Sequence, residues 1–208
     1  MVISGVRAIF AMNFTTNSHM KGLITMMMLV LCTAVGAQNA DKLYADGKAL
    51  YDAKKYTQAV PKLQAAAAKG HKKAQYRLGR CFDKGYGVKE DDKQAVVWYS
   101  KSAAQGYAKA QYQLGKCYKN GEGVEKDKVK AFQLFSKAAK QDNGDAQLAL
   151  GKCYLKGKGT PSDKAKAKTW LTKAVKNPKN GKEILQELKK DAAAGDEDAK
   201  AILQLVSK

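Results

Sequence analysis

Residues 74–82 read Ala-Gln-Tyr-Arg-Leu-Gly-Arg-Cys-Phe, residues 110–118 Ala-Gln-Tyr-Gln-Leu-Gly-Lys-Cys-Tyr, and residues 146–154 Ala-Gln-Leu-Ala-Leu-Gly-Lys-Cys-Tyr. The three copies stand 36 residues apart, and the interval carries on through Gly85/Gly121/Gly157, Gly87/Gly123/Gly159, Asp91/Asp127/Asp163, Ala95/Ala131/Ala167, Trp98/Leu134/Trp170 and Lys101/Lys137/Lys173. Register kept over so many positions marks a tandem repeat, in which each copy buries its apolar face against its neighbours.

Each copy reads as two helices. Ala74, Leu78, Cys81 and Phe82 follow the i, i+4, i+7, i+8 spacing of an amphipathic helix, and Ala95, Trp98, Tyr99 and Ser102 follow the i, i+3, i+4, i+7 spacing of another. Between them the Gly-x-Gly pair supplies the positive φ that ends the first helix, and Asp91, Asp127 and Asp163 stand where an N-cap accepts the free amides of the second. Gly79, Gly115 and Gly151 are expected where helices approach too closely for a side chain. Upstream, Leu43, Gly47, Leu50, Ala59, Leu63 and Ala66 form a related unit whose Gly47 to Ala59 interval is four residues shorter than Gly79 to Ala95.

With the shorter interval the first unit has the spacing of a tetratricopeptide repeat. The longer version, Ala-x-x-x-Leu-Gly-x-x-Tyr-x-x-Gly-x-Gly-Val…Ala-x-x-Trp-x-x-Lys-Ala-Ala, resembles the Sel-1-like repeat over Asp41–Asn177, departing at Thr160 for valine and Leu148 for the aromatic. The resemblance implies an all-α, right-handed helix-turn-helix solenoid: a tetratricopeptide-like unit at 38–71, three Sel-1-like repeats at 72–177, and a helical cap at 178–208. In the cap, Gly181–Ala194 and Asp196–Val206 carry Ile184, Leu185, Leu188, Ile202, Leu203 and Leu205 as an apolar stripe. A solenoid needs such a cap to keep its last apolar face out of water.

The N-terminus has a different character. Met20-Lys21 precedes the apolar run Gly22–Ala37, which ends Val35-Gly36-Ala37, a signal-peptide pattern. The run is short for a membrane span, so cleavage after Ala37 and export to the periplasm or beyond are expected, with Met1–His19 an upstream extension. Membrane contact is then confined to an uncleaved signal segment. Cys32 follows Leu31 rather than the small residue that lipidation needs. The whole chain carries +19; Arg7 and Lys21 account for two of these charges, leaving +17 on the exported part.

Little in the chain reads as chemistry. His71 is the one histidine after residue 37 and falls at the turn between the first and second units, where it reads as a surface loop residue, and no Ser/His/Asp or Cys/His set accompanies it. One thiol per repeat offers no zinc-ligand spacing, so neither metal nor cofactor is expected. The Gly-x-Gly follows a helix and not a strand, which argues against a nucleotide cradle. Cys81, Cys117 and Cys153 take a position usually held by a small packed residue and should remain reduced, since stacked repeats set them about 8–10 Å apart, beyond the roughly 7 Å reach of a disulfide. Some exported members of the resembled family carry two cysteines per repeat and have been linked to β-lactam binding; this chain lacks the second cysteine.

Three readings of function stay open: an interaction scaffold, as the family implies; a basic binder of nucleic acid or an acidic polymer, from the net charge; and a hydrolytic or β-lactam-binding protein. The first places its partner, a protein or peptide, acidic in the groove version, on the first helices. One residue after each glycine stand Lys48, Arg80, Lys116 and Lys152, and three before stand Tyr44, Tyr76, Tyr112 and Leu148. Four apart, the two sets share a helix face. In tetratricopeptide repeats, which the pattern resembles, both positions line the concave groove, and Lys84 and Lys119 extend it.

Overall fold

The computed structural model describes residues 39–207; the expected signal segment and Cys32 lie outside them. Within them the chain forms ten helices and no strand: α1 (39–52), α2 (Tyr56–Ala68), α3 (Lys72–Lys84), α4 (Asp92–Ala104), α5 (Ala108–Asn120), α6 (Lys128–Ala139), α7 (Gly144–Lys156), α8 (Lys164–Val175), α9 (Gly181–Ala193) and α10 (Glu197–Ser207). From α2 to α8 each helix packs against the next, and α9 and α10 pair with each other and close over α8. The architecture of the described residues is an all-helical solenoid, with residues 40–207 in one compact unit.

Local chemistry sets the helix ends. The carboxylates of Asp91, Asp127 and Asp163 accept from the backbone N–H three residues on, each at 2.9 Å, and Gly85, Gly121 and Gly157 end the preceding helices in the left-handed conformation. The second loop glycine also answers to packing. A Cβ on Gly87 would stand 2.6 Å from the carbonyl carbon of Tyr56, and on Gly123 and Gly159 it would fall on the carbonyl oxygens of Asp92 and Lys128. Each loop therefore closes on the first residue of the preceding unit's second helix, and only glycine lets it.

The helix pairs close through a constant contact. A Cβ on Gly79 would lie 2.6 Å from the Tyr99 ring, on Gly115 2.6 Å from Phe135, on Gly151 2.6 Å from Leu171, and on Gly47 3.0 Å from Leu63. Tyr99, Phe135, Leu171 and Leu63 are all essentially without solvent exposure. Beside them Ala74, Leu78 and Cys81, with Ala95 and Ser102, make the core that the periodicity predicts, while Trp98 is only half-buried. Ile184, Leu188 and Ile202 close the C-terminal end, where Leu203 and Leu205 are partly buried.

A second constant feature joins one repeat to the next. Gln105 Nε2 donates to Gln75 Oε1 at 2.8 Å, and Gln75 donates in turn to the carbonyl of Ala67 at 3.2 Å. Gln141, Gln111 and Ala103 repeat the relay at 2.8 and 3.3 Å, and Asn177, Gln147 and Ala139 repeat it at 3.0 and 3.4 Å. Gln75, Gln111 and Gln147 are buried, so these bonds satisfy polar groups that water does not reach. Nothing in the sequence reading assigned the glutamines a role; their signal was the thrice-repeated Ala-Gln.

The structure corrects the reading of His71 as a surface loop residue. Its side chain is 13% exposed, its Nδ1 accepts from the Ala74 N–H at 3.1 Å as the N-cap of α3, and its ring stacks on Tyr44 at 4.2 Å. Burial holds its pKa below the ordinary value although Asp41, 3.2 Å from Nε2, opposes this. Cys81, Cys117 and Cys153 are buried and free; burial pushes the Cys81 thiol up to about 11 and that of Cys117 to about 12.

Candidate functional site

The repeated tyrosines and cations stand on the first helices α1, α3, α5 and α7, and the fold sorts them into groups that their sequence register does not distinguish. Toward the N-terminal end they are tied up internally. Lys48 Nζ lies 2.6 Å from Asp52, whose other oxygen takes Arg77 Nη1 at 3.2 Å. Arg77 also sits over the Tyr51 ring at 4.8 Å, and its Nε donates to the Tyr44 hydroxyl at 3.4 Å. Lys84 pairs with Asp83 at 3.2 Å and is otherwise exposed. Arg77 is the residue that sequence reasoning missed here: it lies outside the glycine-anchored register, and its acid comes from another helix.

Tyr76 and Arg80 occupy the middle. The Tyr76 ring lies 5.3 Å from Tyr107 and 6.0 Å from Tyr99. Arg80 is half-buried among Tyr51, Tyr76 and Tyr99, and its Nε is buried without a hydrogen-bond partner. Farther along, Lys116 lines a cleft of mixed sign with Asp83, Lys84, Glu90, Asp92 and Glu122.

The C-terminal part is different. Tyr112, 5.9 Å from Phe135, forms the floor of a cleft of about 270 Å³ with Leu148 and Phe135, and Lys119, Lys152, Lys156 and Lys158 stand around it with Asp145 and Asp198. An adjoining cleft of about 320 Å³ shares Lys119, Phe135 and Lys158 and adds Lys126 and Lys128. Lys156 is paired with Asp198. Among the described residues, Arg80, Lys116, Lys119 and Lys152 enter no ion pair. Burial, and after it the charges of Lys116 and Lys152, lower the Lys119 pKa. Asp145 is shifted the other way: burial raises its pKa in spite of the Asn180 amide donated to it at 2.9 Å.

Lys126, Lys128, Lys156 and Lys158 were not among the residues that the sequence pointed to. Lys156 is the repeat equivalent of Lys84, while Lys126, Lys128 and Lys158 fall in or beside the loops, out of the helix-face register, and meet Lys119 only because α5, α6 and α7 are stacked. Among the described residues no three His, Cys, Asp or Glu side chains come together as a metal-holding group, and no helix is long and apolar enough to cross a membrane.

Comparison with known proteins agrees with this architecture. A family described as Sel1 repeat matches residues 72–107, 108–143 and 144–178. Among solved structures, a Sel1 repeat protein from Oxalobacter formigenes is 32% identical with a TM-score of 0.63, covering 75% of this chain and 72% of that one. A protective antigen present in uropathogenic Escherichia coli strains and displaying an SLR fold is 28% identical with a TM-score of 0.67; 87% of this chain matches 40% of the antigen. No curated protein matches the chain.

Proposed function

The chain belongs to the Sel1 repeat family, and from that premise we propose that it is an exported, non-catalytic scaffold that binds other proteins across the face of its first helices. One observation carries the reading. Where the spine of each repeat is packed and its buried glutamine amides are bonded, the first-helix face keeps cations outside any ion pair, Lys119 exposed and Lys116 and Lys152 part-buried, and Lys119 and Lys152 border an apolar floor of Tyr112, Phe135 and Leu148. Desolvated charge left unpaired is unfavourable in the free protein, and a ligand that pairs it removes the penalty. No catalytic step is assigned, because the thiols nearest the clefts are held protonated: burial takes Cys117 to about 12 and moves Cys153 in the same direction.

The test is photo-crosslinking in the native envelope from Tyr112 on the first-helix face and from Val97, which is exposed on a second helix. Partner capture from position 112 and little from 97 is the expected result; equal capture, or none from 112, opposes the reading. Export is tested by N-terminal sequencing of the envelope protein, with Gln38 expected first. Turnover of nitrocefin by the purified chain would contradict the non-catalytic assignment.

A further inference from the structure

We infer that the partner is bound as an extended acidic peptide, and that it lies over the C-terminal part of the first-helix face, on Tyr112, Lys119, Leu148 and Lys152, and not along the whole basic stripe. The inference rests on the scaffold reading and adds the place and the chemistry. Its ground is the change of sign at one repeat position. Asp83, Lys119 and Leu155 are equivalent, and so are the core residues beside them, Tyr99, Phe135 and Leu171. In the first of these repeats the Tyr99 hydroxyl donates to Asp83 at 2.9 Å, and the same carboxylate holds Lys84. In the next, Phe135 has no hydroxyl to offer, and Lys119 lines both clefts with it, outside any ion pair, with the charges of Lys116 and Lys152 acting on it more strongly than that of Glu122. Uncompensated positive charge thus gathers at α5 and α7.

The surroundings select a peptide over a phosphate polymer. Asp145 and Asp198 line the same cleft as Lys119 and Lys152, and Glu187 lies near enough to Tyr112 to raise its pKa together with burial and Asp145. A chain bearing a charge on every unit would set some of them against these carboxylates. A peptide can place one acid between Lys119 and Lys152 by charge-assisted hydrogen bonds and lay an apolar side chain on Tyr112 and Leu148.

The experiment measures binding of a fluorescein-labelled peptide of alternating glutamate and leucine to the full chain, with an alternating glutamine and leucine peptide and oligothymidylate as comparison probes. Lys119→Glu with Lys152→Glu is set against Lys101→Glu with Lys137→Glu, which changes net charge equally but on second helices. The acidic peptide should bind and lose affinity about tenfold or more in the first pair and less than about twofold in the second. Equal losses in the two pairs, no binding of the acidic peptide, or tighter binding of oligothymidylate overturns the inference. If the reversed pair melts early, Lys119→Gln with Lys152→Gln gives the same comparison without added acid. If crosslinking from position 112 still captures a partner that the Lys119/Lys152 variants do not weaken, the scaffold reading stands and this one fails.

Discussion

Residues 72–107 and 108–143 form two copies of the same structure that differ in the sign of the charge at one first-helix position, Asp83 in one and Lys119 in the other. Both hold a first-helix glycine against a second-helix aromatic ring, Gly79 on Tyr99 and Gly115 on Phe135, and both donate a first-helix glutamine amide to a carbonyl of the preceding unit, Gln75 to Ala67 and Gln111 to Ala103. At one equivalent pair they part: Asp83 with Tyr99 is a hydrogen-bonded acid that also pairs with Lys84, and Lys119 is a cation outside any ion pair that shares its clefts with the apolar Phe135. The spine is what every copy must keep to stack. The face beside it can vary when its partner varies with it, because Asp83 comes with Tyr99 and Lys119 with Phe135 while the glycine-to-ring contact stays the same. A repeat protein can in this way carry two different surfaces on one framework.

The largest test of the shared spine is overpacking. Gly79→Leu and Gly115→Leu should each lower unfolding free energy by about 1–3 kcal/mol or more, read by urea denaturation, since neither ring has room to withdraw. A variant with unchanged stability would show that the two units do not share this contact. Next comes the amide relay: Gln75→Leu and Gln111→Leu should each cost about 1–3 kcal/mol by leaving buried amide and carbonyl groups unpaired. Unequal losses beyond a factor of about two would break the equivalence of the copies.

The difference between the copies predicts opposite signs at the paired position. Asp83→Leu should destabilise by about 1–2 kcal/mol, because the largely buried Tyr99 hydroxyl loses its acceptor, whereas Lys119→Leu, which installs the residue found at Leu155, should leave the melting temperature unchanged or higher. A stability loss on removing Lys119 would mean that its charge is compensated within the fold. The smallest effect belongs to the joint with the first unit. His71 is favoured neutral in the fold, so its contribution is complete above the ordinary pKa of 6.5 and is lost as pH falls from there through its depressed folded value. His71→Asn keeps a capping oxygen without titrating, and its stability should fall less than that of the unaltered chain between neutral and mildly acidic pH.

How much of this was legible in advance follows from where each interaction reaches. The helix pairs, their caps at Asp91, Asp127 and Asp163, and the close approach at Gly79, Gly115 and Gly151 could be read because they depend on periods of a few residues and on a repeat that states its rule three times. The burial of His71 could not be read: its stacking partner Tyr44 and its neighbour Asp41 come from α1, and a turn position by itself says nothing about what folds against it. The glutamine relay left a repeated Ala-Gln in the sequence, but its partners stand 30 residues away.

The candidate site divides along the same line. The sequence by itself determined which side chains share the first-helix face, since a glycine-anchored register of tyrosine and cation is a property of one helix at a time. Only the tertiary structure decided which cations remain available, because neutralisation depends on which carboxylates come within a few ångströms across helices. Arg77 reaches Asp52 from another helix and Lys156 finds Asp198 from 42 residues away, whereas Lys48 with Asp52 and Lys84 with Asp83 pair within their own helices. Lys116, Lys119 and Lys152 form no ion pair, although carboxylates share their clefts. Charge falls off with distance in space and not along the chain, so a uniform row of basic residues in the sequence becomes, once stacked, a mixture of paired and unpaired cations.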